Sequence, residues 1–281
     1  MMPLPIHLYT WNMPFIVGML FLACFSTASA EPKNIRIVEQ KESDGVSMLV
    51  ETTHCLAATI TLEAQLHNLA PSASLPLTVD TEGRTSFELI RFRIKDPNQK
   101  WNFHYDYHWE VGGRGGIHDD HQVYQLPYEV GRKYVVGQGH FGSFSHQKGS
   151  ENEHAIDWLM PPGTKVCAAR EGTVVVIFQD SNEGGSDKKF KNAGNYVIVR
   201  HEDGTFAEYV HIQKDGAQVN IGKHVKAGDM IALSGNTGYS TRPHLHFMVF
   251  RTLNGEHRQS IPVQFKTRNG ITLIPKQGQS Y

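Results

Sequence analysis

The sequence predicts an all-β protein, on three observations. Short runs that alternate apolar with polar residues recur from residue 31 onward. Glycine-rich turns separate these runs. Neither a sustained 3.6-residue apolar period nor a βαβ alternation is present, which disfavours helices and a parallel sheet. At 281 residues the chain is long for one average domain and comfortable for two, each able to bury a core. The arrangement expected is a β-sandwich-like domain over residues 31–130, followed by a compact, barrel-like antiparallel domain over residues 131–281.

In chain order, residues 1–30 read as an export signal, because the apolar run "FIVGMLFLACFSTASA" ends in the small-x-small pattern Ala28-Ser29-Ala30. Cleavage after Ala30 would start the mature chain at Glu31, in the periplasm or outside the cell. The stretch before the run carries no Lys or Arg, only His7. The run is short for a bilayer span and is interrupted by Ser and Thr, so no stable membrane span is expected. Cys24, after "LFLA", is the alternative point of lipid attachment, which Phe21 fits poorly.

Residues 31–130 contain "SMLVET", "ATITLEAQL", "TSFELIRFRI" and "FHYDYHWEV", each read as a strand, with "NLAPSASLP" and "GGRGGIHDDHQ" as loops. Within the second loop, His118, Asp119, Asp120 and His121 form a candidate metal cluster, but flanking glycines make a poor ligand frame and a solvated loop is the preferred reading. Residues 131–281 continue with "GTKVCAAREGTVVVIF", "NYVIVRH", "FAEYVHI", "HVKAGDMIALSG" and "HLHFMVF", strands divided by Gly turns. "SNEGGSDKKFKNAG", residues 181–194, is a polar insertion expected beside any site. Cys55 and Cys167 fall in different expected domains; burial as small apolar side chains is preferred over a bridge.

Lys and Arg total 27 against 28 Asp and Glu, a formal net charge of −1, so no global field draws the chain to nucleic acid or an acidic membrane. With 16 histidines, each one singled out needs a geometric reason. "TRPHLHFMVF", residues 241–250, supplies one. Read as a strand, it sets His244 and His246 on one face and Leu245 and Phe247 on the other. Surface polarity, a hydrogen-bonded pair, or a metal ligand beside an acid/base group would all produce that pattern. Acidic and imidazole groups recur nearby in sequence order: His146 in "GSFSHQ", His154 and Asp157 in "ENEHAIDW", and His211 in "EYVHI".

Three separated segments, "AIDWLMPPGTKVCAAREGTVV", "GNYVIVRHEDGTFAEYVHI" and "VKAGDMIALSGNTGYSTRPHLHF", occur in an order that carries a resemblance. Residues 140–250 resemble the M23 family of zinc peptidases, of the lysostaphin or LytM type, whose members cut peptide crosslinks of bacterial cell walls. The resemblance implies one zinc ion held by a His, Asp157 and His246, with a fourth position left for water. It also implies a departure, because the position four before Asp157, a His in the family, is Glu153. His146 is the preferred third ligand, since a loop residue is free of strand parity. His154, at odd spacing from Asp157, and Glu153 remain alternatives.

The same resemblance assigns roles. His244 would be the general base, and His211, taken to share a strand face with Tyr209, would donate to the developing oxyanion. Gly235 to Gly238 would make a tight turn ahead of the site strand, and Tyr239 to Arg242 would line a substrate groove. The function implied is a secreted zinc endopeptidase of peptidoglycan peptides. Glu153 motivates an alternative, a degenerate wall-binding or regulatory module, and a peptidase of glycine-rich non-wall protein is a third reading.

Overall fold

The computed structural model describes residues 35–52 and 57–281. The expected export signal, with Cys24, and Cys55 as a pairing partner lie outside the described residues. The first strands are β1 (Ile35–Glu42), β2 (Gly45–Thr52), β3 (Ala58–His67), β4 (Leu69–Pro71), β5 (Leu77–Asp80), β6 (Ser86–Ile94) and β7 (Asn102–Val111). They form two sheets, ordered β1-β2-β6-β4 and β5-β3-β7. Strand alternation explains their packing: Val46, Met48 and Val50 of β2, Ile60 and Leu62 of β3 and Phe92 of β6 bury into a shared cluster.

Next come β8 (Val123–Gln125), β9 (Val135–Gln138), β10 (Ile156–Leu159), β11 (Lys165–Cys167) and β12 (Gly172–Phe178). After β13 (Gly184–Gly185), a single 3-10 turn at Lys188–Phe190 is capped by the Asp187 side chain, which accepts from Lys189 N. β14 (Tyr196–Arg200), β15 (Phe206–Val210), β16 (Ile212–Ala217) and β17 (His224–Val225) follow. The chain then adds β18 (Met230–Ser234), β19 (Gly238–Tyr239), β20 (Leu245–Thr252), β21 (Arg258–Ile261), β22 (Gln264–Lys266) and β23 (Thr272–Leu273). The fold is all-β. Among the described residues no helix is long and apolar enough to cross a membrane.

The central sheet runs β17-β12-β14-β15-β20-β10-β9, with β21 also paired to β20. One face packs against the small sheet β11-β18-β16, burying Val174, Val197, Tyr209, Leu245, Phe247 and Ile231. The opposite face is used twice. At one end Val176, Ile198, Phe206, Met248 and Phe250 join the cluster of the first seven strands. At the other end the same face carries the histidines. The Thr252 hydroxyl donates to Val111 O and Gly255 N to the Thr61 hydroxyl (3.0 Å), tying the two parts of the chain together. Residues just before 131 also reach the second cluster: β8 pairs with β22, and Tyr124 and Tyr128 are buried there.

Cys167 is buried and makes no disulfide among the described residues. The loop at 118–121 gathers no metal-type cluster: His118 stacks on Tyr124, and its Nδ1 meets Asp120 at 3.3 Å.

Phe250 is fully buried, its ring 5.4 Å from that of Phe206, beneath the guanidinium of Arg258. Phe250→Ala is expected to cost about 3–5 kcal/mol of stability. Urea unfolding of the variant against the parent measures it.

Candidate metal centre and groove

Backbone register builds the site. β10 pairs with β20 so that Asp157 lies opposite His246, and β20 pairs with β15 so that His246 lies opposite Val210. The row continues from Val210 to Tyr196 on β14 and from Tyr196 to Phe178 on β12, and on the other side from Asp157 to Gln138 on β9. All six residues line one cavity of about 1120 Å³. The cavity is therefore a groove running across the strands, with one floor residue from each.

His146 enters from the loop after β9. It is fully buried, and its Nδ1 lies 3.1 Å from the carbonyl of Gly139. A carbonyl only accepts, so that partner takes an Nδ1–H and turns Nε2 inward. Nε2 is 3.3 Å from Asp157 Oδ1 and 3.3 Å from His246 Nδ1, and His246 Nδ1 is 2.9 Å from the same Oδ1. Among the described residues this is the single group of three donors, all within 4.8 Å of one another. Bonds of 2.0–2.1 Å in a tetrahedral shell put ligand atoms about 3.3 Å apart, so the set fits a small divalent ion with nitrogen and oxygen preference.

Burial opposes ionisation of Asp157, but the imidazoles of His146 and His246 outweigh it and hold the carboxyl well below the usual carboxylate range. His154 stands elsewhere, with Nδ1 3.2 Å from both the carbonyl and the hydroxyl of Ser260. Glu153 accepts from Gly149 N at 2.8 Å and takes no place in the donor group.

His244 and His211 are neighbours, their rings 4.5 Å apart. His244 donates Nδ1–H to Arg242 O (2.8 Å), leaving Nε2 3.7 Å from Asp157 Oδ1. His211 donates Nδ1–H to Thr237 O at 2.6 Å. Both therefore present an Nε2 lone pair as an acceptor. Burial lowers the pKa of each; for His211 burial, with the neighbouring imidazoles, brings it down to about 3.

The expectation that His211 shares a strand face with Tyr209 is corrected. Tyr209 points into the core, where its hydroxyl accepts from Ala169 N (2.8 Å). His211 sits between β15 and β16 at φ 67°, and that left-handed backbone breaks the alternation and swings the ring to the groove.

Sequence reasoning missed Gln138. Its Nε2 donates to Asp157 Oδ2 (3.0 Å) and to the Ser145 hydroxyl (2.8 Å), while its Oε1 accepts from the backbone N–H of Phe144 and Ser145. One amide thus holds both the carboxylate and the loop that delivers His146. "VVGQGHF" offers no signal for this beyond a polar residue inside an apolar strand. Also missed were Glu208 and Arg258, a groove-lining ion pair at 3.1 Å. Residues 181–194 and Tyr239 to Arg242 do border the groove, through Lys188, Lys191, Tyr239 and Arg242.

The fold and the buried His/Asp/His group define the class: an all-β protein with a metal-type centre on the floor of a groove. Residues 151–260 match Peptidase family M23, a family of metallopeptidases and so of hydrolases. His146 lies before the matched residues.

The chain is 37% identical over 123 residues to an uncharacterized metalloprotease of Buchnera aphidicola, covering 43% of this chain and 28% of that one. It is 34% identical over 121 residues to the peptidoglycan DD-endopeptidase ShyC of Vibrio cholerae (43% and 25%). It is 40% identical over 115 residues to lysostaphin of Staphylococcus simulans (41% and 21%). The chain thus spans less than a third of the length of these curated relatives. The solved structure of lysostaphin from Staphylococcus simulans aligns over 42% of each chain at 33% identity, with a TM-score of 0.31.

Gln138→Leu is expected to weaken divalent-metal affinity by about 10- to 100-fold, because the carboxylate ligand loses its outer hydrogen bond. Gln138→Glu would retain the acceptor for the loop but repel Asp157. Competition with a chromogenic chelator ranks all three proteins.

Proposed function

We propose that the chain is an exported zinc endopeptidase that hydrolyses peptide crosslinks or stem peptides of peptidoglycan. The observation that carries this reading is the convergence of His146 Nε2, Asp157 Oδ1 and His246 Nδ1 on one small volume bordering the groove. Two relatives bear on the substrate by their printed names, a peptidoglycan DD-endopeptidase and lysostaphin. Export is supported by the sequence of residues 15–30 and by the extracytoplasmic location of peptidoglycan. We assign the catalytic unit to residues 131–281 and an accessory unit to residues 31–130, of which β8 and Tyr128 pack on the catalytic unit.

His146, Asp157 and His246 would hold the ion. When bound, zinc is a Lewis acid that acidifies water and polarises carbonyl groups. The groove orients an extended peptide across the strands, over the floor row that contains two of the ligands. His244 Nε2, a lone pair held toward the centre by the Nδ1–H bond to Arg242 O, takes a proton as general base. Protonated, the same ring can return that proton to the leaving amine. His211 Nε2 is a lone pair on a ring whose pKa is brought down to about 3, so at neutral pH it accepts from a donor beside the centre and does not itself donate to developing negative charge. The Ser240 hydroxyl, 3.2 Å from His244 Nδ1, steadies the base ring.

His244 is active only when neutral. Because burial lowers its pKa, it stays neutral to below pH 6.5, and the acid limb of kcat/KM is expected below that pH, activity being lost as pH falls through the limb. A pH–rate profile on crosslinked muropeptides measures this.

Asp157→Ala and His246→Ala are expected to lose zinc. His244→Ala should keep it while turnover drops by about 10² to 10⁴. His146→Ala should lose the metal and His154→Ala should not; metal analysis after gentle purification reads all five variants. A zinc-loaded parent that turns over no muropeptide would overturn the reading and leave the wall-binding alternative.

A further inference from the structure

The floor row Phe178, Tyr196, Val210, His246, Asp157 and Gln138 gives the groove a direction and a length. Six adjacent strands are separated by five intervals of about 4.8 Å, so the floor is about 24 Å long, room for about seven residues of extended peptide. The metal-type centre is off the middle. From His246 to Phe178 there are three intervals, about 14 Å; from Asp157 to Gln138 there is one, about 5 Å. A substrate therefore lies on a long arm of about four residues and a short arm of one or two.

Charge is distributed unevenly along this track. Lys188 and Lys191 sit on the connection from Phe178 to Tyr196, which pairs with Gly238–Tyr239 through β13 and reaches Val210 at Gly194, and both line the groove on the long-arm side. Arg242 is at the short arm, its Nη2 3.5 Å from where a Cβ on Gly137 would stand. All three are exposed. None makes a salt bridge among the described residues, whereas neighbouring Lys189 lies 4.0 Å from Asp187. The carboxylates that line the groove are already engaged: Asp157 by the imidazoles, Glu208 by Arg258. A chain of formal charge −1 thus concentrates unmatched positive charge along one groove.

We infer that the groove selects extended peptides carrying free carboxylates on both sides of the bond presented to His246 and Asp157, with Lys188 and Lys191 reading the long arm and Arg242 the short arm. This rests on the peptidase reading for the bond cut, and it separates carboxylate-bearing stem peptides from neutral oligoglycine. Exposed cations act through a field that salt screens, so the preference weakens as ionic strength rises. Lysine recognises a carboxylate as a point charge, while Arg242 can engage it through two N–H groups.

The test uses the full chain and crosslinked muropeptide dimers in two forms, carboxylates free or converted to carboxamides, with N-acetylated, C-amidated pentaglycine as a third ligand. Dissociation constants are read by calorimetry on the zinc-free protein, where no hydrolysis intervenes, and kcat/KM on the zinc-loaded protein. The free-carboxylate dimer is expected to bind about tenfold tighter than the amidated dimer or pentaglycine, a difference of about 1.4 kcal/mol. In the Lys188→Gln/Lys191→Gln double variant that ratio should fall to about two, whereas Lys266→Gln, on β22 and outside the groove lining, should retain it. Equal affinity for the two dimers, or no binding of either, overturns the inference. A binding preference without hydrolysis by the loaded protein leaves the inference standing and removes the peptidase reading instead.

Discussion

The pairing of β10 with β20 is the constraint on which the rest depends. Because side chains alternate strictly along a strand, a slip of one residue in that register would turn Asp157 into the core and bring Ile156 or Trp158 opposite the histidines. The slip is blocked from the other face. Ile156, Trp158, Leu245 and Phe247 interlock in the core beneath, fully or almost fully buried, and tolerate no exchange with a carboxylate or an imidazole. The packing of one face thereby aligns the polar atoms of the other.

Around that register the imidazoles are oriented from behind. His146, His211 and His244 each donate Nδ1–H to a backbone carbonyl, of Gly139, Thr237 and Arg242 respectively. Backbone carbonyls are fixed by the sheet and its turns, so the rings hold one tautomer and direct Nε2 toward the Asp157 carboxylate or the groove. The anion stays ionised despite burial because hydrogen bonds from the His146 and His246 imidazoles outweigh its desolvation. Gln138 completes the arrangement from the opposite side, leaving Oδ1 for the histidines by engaging Oδ2.

A second consequence concerns the shared face of the central sheet. Met248 and Phe250 follow His246 on the same strand and are covered by the first seven strands, while the histidine end stays open as a groove. The first seven strands do not close over the metal-type centre; they occupy the adjoining part of the sheet face, which would otherwise expose a large apolar patch. Groove and cover are thus two uses of one surface, and the ion pair between Glu208 and Arg258 lines the groove beside Phe250, over whose ring the guanidinium lies.

Much of this was legible in the sequence. Alternation within each run declared the strands, and His244 and His246 declared their common face, because period-two geometry is a local property that needs no partner. The order of the M23-like segments pointed to Asp157 and His246. What sequence could not supply was everything that depends on pairing across long separations. His146 reaches the centre because its loop is held by Gln138, His211 faces the groove through a left-handed backbone rather than strand parity, and Gln138 itself looked like any polar residue in a strand. Residue types and their local spacing state which chemistry is on offer; only the register among six strands decides which donors share a volume and in which direction a substrate can lie.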